Sequence, residues 1–321
     1  VSKRPTPAKI TAPLAAVSAA TALVLTACVP AGPETAGTDS GEEAGLPVVL
    51  TTFTVLQDMA AEVGGEHVEV RSITPAGAEV HGYDPTPSAV RGAAEADLVI
   101  ANGLGLEAWL QQFLQHADAP TVTATDGIDT LAVTWLRDHP DHAGTAADMP
   151  VNPHAWMSPV NAEVYIDNIE AALAEQFPQH TEHFAQNAEA YRQQLQSLHR
   201  TTEERFANLD APVRLVTCEG AFSYLAQEYG IDEHYLWSLN AQNEGTAAQT
   251  EAQINYVEAH SVPTIFCEST VNDSAQQQVA AETGAELGPP LYVDSLTDDG
   301  DVPTYLDLLE YDIDRILTGY E

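Results

Sequence analysis

Basic residues are scarce in this 321-residue chain: 11 Lys and Arg stand against 48 Asp and Glu, a formal charge of -37. That balance repels nucleic-acid phosphates and anionic lipid headgroups, so no nucleic acid is expected as a partner and cations are the favoured company. Acidity alone names no ligand, because a solvated acidic surface also serves solubility. Cysteine is nearly missing too, with three in all. The one long apolar run, Leu14 to Ala27, falls short of the ~20 residues a membrane-spanning helix needs. No internal repeat is evident. What is present is 44% apolar composition, enough for one large core or two smaller ones, and two lobes are the better expectation for this length.

Lys3, Arg4 and Lys9 precede that apolar run, which is the layout of an export signal, so residues 1–28 are expected to be a signal peptide. Its end, Leu25-Thr26-Ala27-Cys28, resembles the bacterial lipobox, in which the cysteine is diacylated. Cys28 would then hold the chain to membrane lipid on the outer face of the cell membrane. Residues 29–46 are rich in Pro, Gly, Ser, Thr and Glu without an apolar period and read as a flexible tether.

From Pro47 the pattern alternates short β-branched runs with helical stretches: Val48 to Phe53, Val68 to Ile73, Leu98 to Ala101 and Thr121 to Thr125 as strands, with helices at Val55 to Val63, Ser88 to Ala94 and Leu104 to Gln115. Asn161 to Leu209 carries almost no strand signal. Pro178 divides it, leaving a long helix Thr181 to Asn208 of about 40 Å. Alternation then resumes, with strands at Val213 to Thr217, His234 to Ser238, Thr264 to Phe266 and Leu291 to Val293, and a closing helix Tyr305 to Leu317. The expected fold class is α/β: two lobes, 47–180 and 210–321, each a mainly parallel sheet with flanking helices, joined by one long rigid helix, 181–209.

Cys218 and Cys267 each end an apolar strand run, and an exported chain meets an oxidising compartment. Parallel strands that end at one rim bring such residues together, so a Cys218–Cys267 disulfide is predicted.

Ligands of open α/β sheets gather at the carboxyl ends of the strands. The side chains there that could converge are His81 in Val80-His81-Gly82-Tyr83-Asp84-Pro85, His154 in Asn152-Pro153-His154-Ala155-Trp156, Glu219 in Cys218-Glu219-Gly220, and Asp294 in Asp294-Ser295. Two imidazoles and two carboxylates suit Mn, Fe or Zn better than Cu(I). In these segments, and in Thr217 to Gly230, Phe266 to Asp273 and Tyr292 to Ile316, the chain resembles the metal-binding solute-binding lipoproteins of ABC transporters, the cluster A-I (cluster 9) family, especially its manganese branch. The resemblance runs from about Pro47 to Leu317. It implies two α/β lobes joined by a rigid helix, with a metal bound between them by His81, His154, Glu219 and Asp294. It also implies a permease partner, a protein that works as a monomer, and no enzymatic activity.

The zinc branch of that family usually has His where this chain has Glu219, and a long His-rich loop where this chain has only Asp138-His139-Pro140-Asp141-His142. The harder carboxylate favours Mn(II) as the transported ligand, with Zn(II) or Fe(II) the alternatives, since simple N/O sites bind Zn(II) more tightly than Mn(II). Val80 directly before His81 departs from relatives that carry Asp shortly before this His. Glu268 is read as a hydrogen-bonding neighbour of the site. His67, His116, His180, His183, His199, His234 and His260 are read as surface or packing residues, and His139 and His142 as at most transient collectors of metal. A surface adhesin is the alternative of another class. A metal-dependent hydrolase is disfavoured, because four protein ligands leave little room for an activated water.

Overall fold

The structure, a computed structural model, describes residues 45–114, 119–133, 150–239, 245–298, 300–318 and 320, all within the unit Gly45–Glu321. The expectations for the signal peptide, for Cys28 and for His116, His139 and His142 fall outside the described residues, as does all of the tether save its last two residues.

The β-branched runs form parallel strands. β1 (Val48–Thr51), β2 (Glu69–Ser72), β3 (Leu98–Ala101) and β4 (Thr121–Thr123) make a sheet of order β2-β1-β3-β4 with every pairing parallel. All four residues of β3 are buried, as a strand covered on both faces requires. Helix α1 (Thr54–Gly64) crosses from β1 to β2, and α2 (Pro87–Ala93) from β2 to β3. Helix α3 (Leu110–Leu114) is shorter than the expected Leu104 to Gln115, because residues 104–109 are turns. Gly103, Leu104 and Gly105 take φ of 85°, 54° and 84°, which no right-handed helix accommodates, and the flanking glycines make that turn accessible.

Ser158 accepts a hydrogen bond from Asn161 N and Pro159 opens the first turn, starting α4 (Pro159–Gln176). After a single 3-10 turn, Pro178–His180, comes α5 (Thr181–Ala207), 27 residues long. Its buried residues Phe184, Ala188, Tyr191, Leu195 and Thr202 recur at helical spacing and form one stripe.

The later strands are also parallel: β5 (Arg214–Glu219) with β6 (Asp232–Trp237), and β7 (Thr264–Ile265) with β8 (Glu286–Leu287). Phe266 N donates to the Val216 carbonyl at 2.8 Å, which sets β7 beside β5. Helices α6 (Ser223–Tyr229), α7 (Ala247–His260), α8 (Ser274–Thr283) and α9 (Tyr305–Thr318) complete this half. The strand expected at Leu291 to Val293 is reduced to one parallel bridge between Leu291 and Glu268, while β8 takes up the pairing. The cause is Gly288-Pro289-Pro290: two prolines without N–H groups interrupt the ladder.

One apolar cluster runs from Val49 and Ile100 through Trp156, Phe184 and Tyr191 to Leu215, Phe222 and Tyr305. A second surrounds the predicted disulfide, which is present: Cys218 and Cys267 are bonded with Cα atoms 4.8 Å apart, among Val216, Leu236 and Ile265.

Two half-buried acids make stability depend on pH. Asp58 accepts from Tyr305 N at 2.9 Å, and burial pushes its carboxyl up to about 6. Glu233 accepts from Ser223 Oγ at 2.6 Å and Phe222 N at 3.1 Å, and burial pushes it up to about 7. Because both folded values lie above the unfolded ones, the stability these groups contribute is full below about pH 4 and is lost as pH rises through 6 to 7. Metal-free protein is therefore expected to melt several degrees higher at about pH 5 than at about pH 8 in calorimetry, and Glu233→Gln to flatten that slope. A melting temperature that climbs with pH would contradict the assignment.

Candidate metal centre

The four expected ligand side chains arrive at one place from four segments. His81 lies in the loop after β2, His154 stands before the 3-10 turn Ala155–Met157, Glu219 is the last residue of β5, and Asp294 follows the Leu291 bridge. The Nε2 atoms of His81 and His154 are 3.1 Å apart. Glu219 Oε1 is 3.5 Å from His81 Nε2 and 3.7 Å from His154 Nε2, and Asp294 Oδ1 is 3.9 Å from His154 Nε2. Donor atoms that share an ion ~2.1 Å away stand about 3–4 Å apart, so these spacings fit a single ion. His154, Glu219 and Asp294 are buried and His81 is nearly so.

The orientation of His154 comes from Asn152. Its Oδ1 accepts from His154 N at 3.0 Å and sits 2.8 Å from His154 Nδ1, so the ring carries its proton on Nδ1 and turns a bare Nε2 toward His81. The amide nitrogen of Asn152 donates to the Gly220 carbonyl at 2.7 Å and to Ser223 Oγ at 3.2 Å, which ties this imidazole to the end of β5. Sequence reasoning missed this role. The only signal was the Asn-Pro-His order, and a neutral amide carries no metal preference. Asn152→Ala is expected to weaken metal affinity about 10- to 100-fold while the fold persists, measured by competition with a chromophoric chelator.

The His81 loop is fixed by its neighbours. Glu79 accepts from His81 N at 2.6 Å and Gly82 N at 2.8 Å, and the Val80 carbonyl accepts from Trp109 Nε1 at 2.8 Å. The acidic residue before His81 therefore stands at position 79 and braces the backbone, while Val80 is fully buried. The Asp294 loop is tied to the same region: Ser295 Oγ accepts from Gly77 N at 2.6 Å, and Leu296 N donates to Thr54 Oγ1 at 2.8 Å.

Burial sets the charge state. It pushes His154 and His81 well below the ordinary imidazole value, leaving both rings neutral with lone pairs available. It raises Asp294, with the nearby charge of Glu79 adding to the effect, and neither Asp294 carboxylate oxygen has a hydrogen-bond partner among the described residues. A buried carboxyl without donors is stabilised by a cation. Glu268 accepts from Glu219 N at 3.1 Å through Oε2, and burial pushes it up to about 8. It lies within 4.8 Å of both Cys218 and Cys267 sulfurs, but these are bonded to each other and offer no thiolate.

A buried pocket of neutral imidazoles and carboxyl groups, mounted where parallel strands end, characterises a solute-binding protein whose solute is a metal ion. The sequence matches the family described as zinc-uptake complex component A, periplasmic, over residues 49–319, and the chain belongs to that family, the metal-binding components of ABC importers. It is similar to the iron-binding protein YfeA of Yersinia pestis, 44% identical over 275 residues that span 85% of this chain and 86% of YfeA. It is also similar to the manganese-binding lipoprotein MntA of Halalkalibacterium halodurans, 32% identical over 301 residues, 93% and 95% of the two chains. Among solved structures, the Mn-bound periplasmic metal binding protein of Candidatus Liberibacter asiaticus aligns with a TM-score of 0.77 at 33% identity, covering 86% of this chain and all of that one. No helix among the described residues is long and apolar enough to cross a membrane.

Proposed function

We propose that this protein captures Mn(II) outside the cell membrane with His81, His154, Glu219 and Asp294 as ligands, and hands it to the permease of an ABC importer. The observation that carries the reading is the convergence of two neutral imidazoles and two carboxyl groups with donor atoms 3.1 to 3.9 Å apart. Glu219 in place of a third imidazole hardens the site, which favours Mn(II) or Fe(II). Glu268 holds the Glu219 backbone and is assigned no bond to the ion. In this proposal residues 47–180 and 210–321 act as two lobes, residues 181–209 form the rigid helix between them, and the protein works as a monomer. Cys28, acylated, tethers it through residues 29–46 to membrane lipid on the outer face. The protein is a carrier and not an enzyme, because four protein ligands leave little room for an activated water.

Zinc or iron is the second reading, favoured by the family description and by the 44% identity to a protein named for iron binding. The test is the metal content of protein isolated from its own host without chelator or added metal. One Mn per chain supports the manganese reading; one Zn or Fe replaces it with the second.

A further inference from the structure

Three histidines separated in sequence meet on the surface at the other end of β2 from the His81 loop. His67 closes the 3-10 turn Gly65–His67 after α1, His180 closes the turn Pro178–His180, and His183 stands in the first turn of α5. The His67 and His180 rings stack with centroids 4.2 Å apart and planes 15° from parallel, and His183 approaches His67 at 4.4 Å. His67 and His180 are half-buried and His183 is exposed. None of the three side chains has a hydrogen-bond or ion-pair partner among the described residues.

The platform under them is built. Phe184 lies below, 6.3 Å from the His67 ring and 6.1 Å from that of His180. Asn187 Nδ2 donates to the Val63 carbonyl at 3.1 Å and locks the end of α1 onto α5. Gly65 has φ of 56°, and a Cβ there would stand 2.9 Å from Asn187 Nδ2, so a side chain at this position would be strained and would crowd the Asn187–Val63 hydrogen bond. β2 spans four residues, so more than ~13 Å of strand separates His67 from the His81 loop.

We infer that His67, His180 and His183 form a second, surface metal site that takes a borderline divalent cation of the zinc type. Imidazole nitrogens suit zinc, and two nitrogens each about 2.0–2.1 Å from one ion lie at most ~4 Å apart; the stacked His67 and His180 rings do not aim their in-plane lone pairs at one point, so loading requires them to unstack by side-chain rotation. Three protein ligands leave a position for water, so the site exchanges its ion readily, in contrast to the buried four-residue centre. Burial first, then the charges of His67 and His183, push His180 below its ordinary value, which favours its neutral, metal-ready form. The net charge of -37 adds a long-range attraction for any cation. An exchangeable site on an importer component raises the local concentration of zinc, or keeps zinc out of the buried centre.

The test is zinc stoichiometry of the full chain, purified in detergent, stripped with chelator and dialysed against Zn(II). His67→Gln/His180→Gln is expected to bind one zinc fewer per chain than the wild type. His81→Ala/Asp294→Ala should keep the surface equivalent, so failure of the buried centre is distinguishable from failure of this one. His183→Gln alters an exposed side chain that touches the His67 ring, and is expected to weaken the surface equivalent without touching the buried one. Equal stoichiometry in wild type and His67→Gln/His180→Gln would overturn the inference.

Discussion

Glu219→Ala is expected to leave the protein folded but without retained transition metal, a loss of at least ~100-fold in affinity. The lower bound follows from the 10- to 100-fold cost of removing even an outer partner of a metal ligand. Glu219 Oε1 lies within 3.7 Å of both imidazole Nε2 atoms, so the change removes a donor close to both rings. The folded state should survive, because the change deletes a buried acid and leaves Thr217, Cys218 and the β5–β6 pairing in place. Elemental analysis beside calorimetry reads both quantities. Metal retained at wild-type stoichiometry would remove Glu219 from the ligand set, and a collapsed melting transition would make it a structural residue instead.

Cys218→Ser/Cys267→Ser is expected to lower stability by about 4 kcal/mol, roughly 10 °C in melting temperature for a domain of this size. The figure comes from a cross-link across 49 residues, whose removal frees the unfolded chain. The bond stands between β5 and β7 and next to Glu268, which accepts from the Glu219 N–H. The variant therefore tests a second point: metal affinity should fall with stability if the cross-link steadies the end of β5. Unchanged melting would mean that the second apolar cluster holds these strands without help.

Much of this was legible before any coordinates. Runs such as Leu98–Ala101, short, apolar and β-branched, read as strands buried on both faces, and Thr181–Ala207 contains no Gly or Pro that would stop a helix. His81, His154, Glu219 and Asp294 stood out because ligand-type side chains followed strand ends, although their convergence needed the family resemblance. The parts that were illegible share a cause: they depend on neighbours distant in the chain. Asn152 acquires its role only when Gly220 and Ser223 are beside it. His67 looks like an ordinary surface residue until His180 stacks upon it. β8 was lost because pairing at Glu286–Leu287 depends on where β7 lies, whereas the apolar run at Leu291 was the louder local signal.

Phe184, Tyr191 and Leu195 of α5 belong to the same apolar cluster as Val49 of β1 and Leu215 of β5. Swinging either sheet away from that helix would wet its inner side chains at about 2.5 kcal/mol for every ~100 Å² exposed. Wide gaping is therefore costly, and under the proposed function a docking partner would release the ion by moving the loops that carry His81 and Asp294.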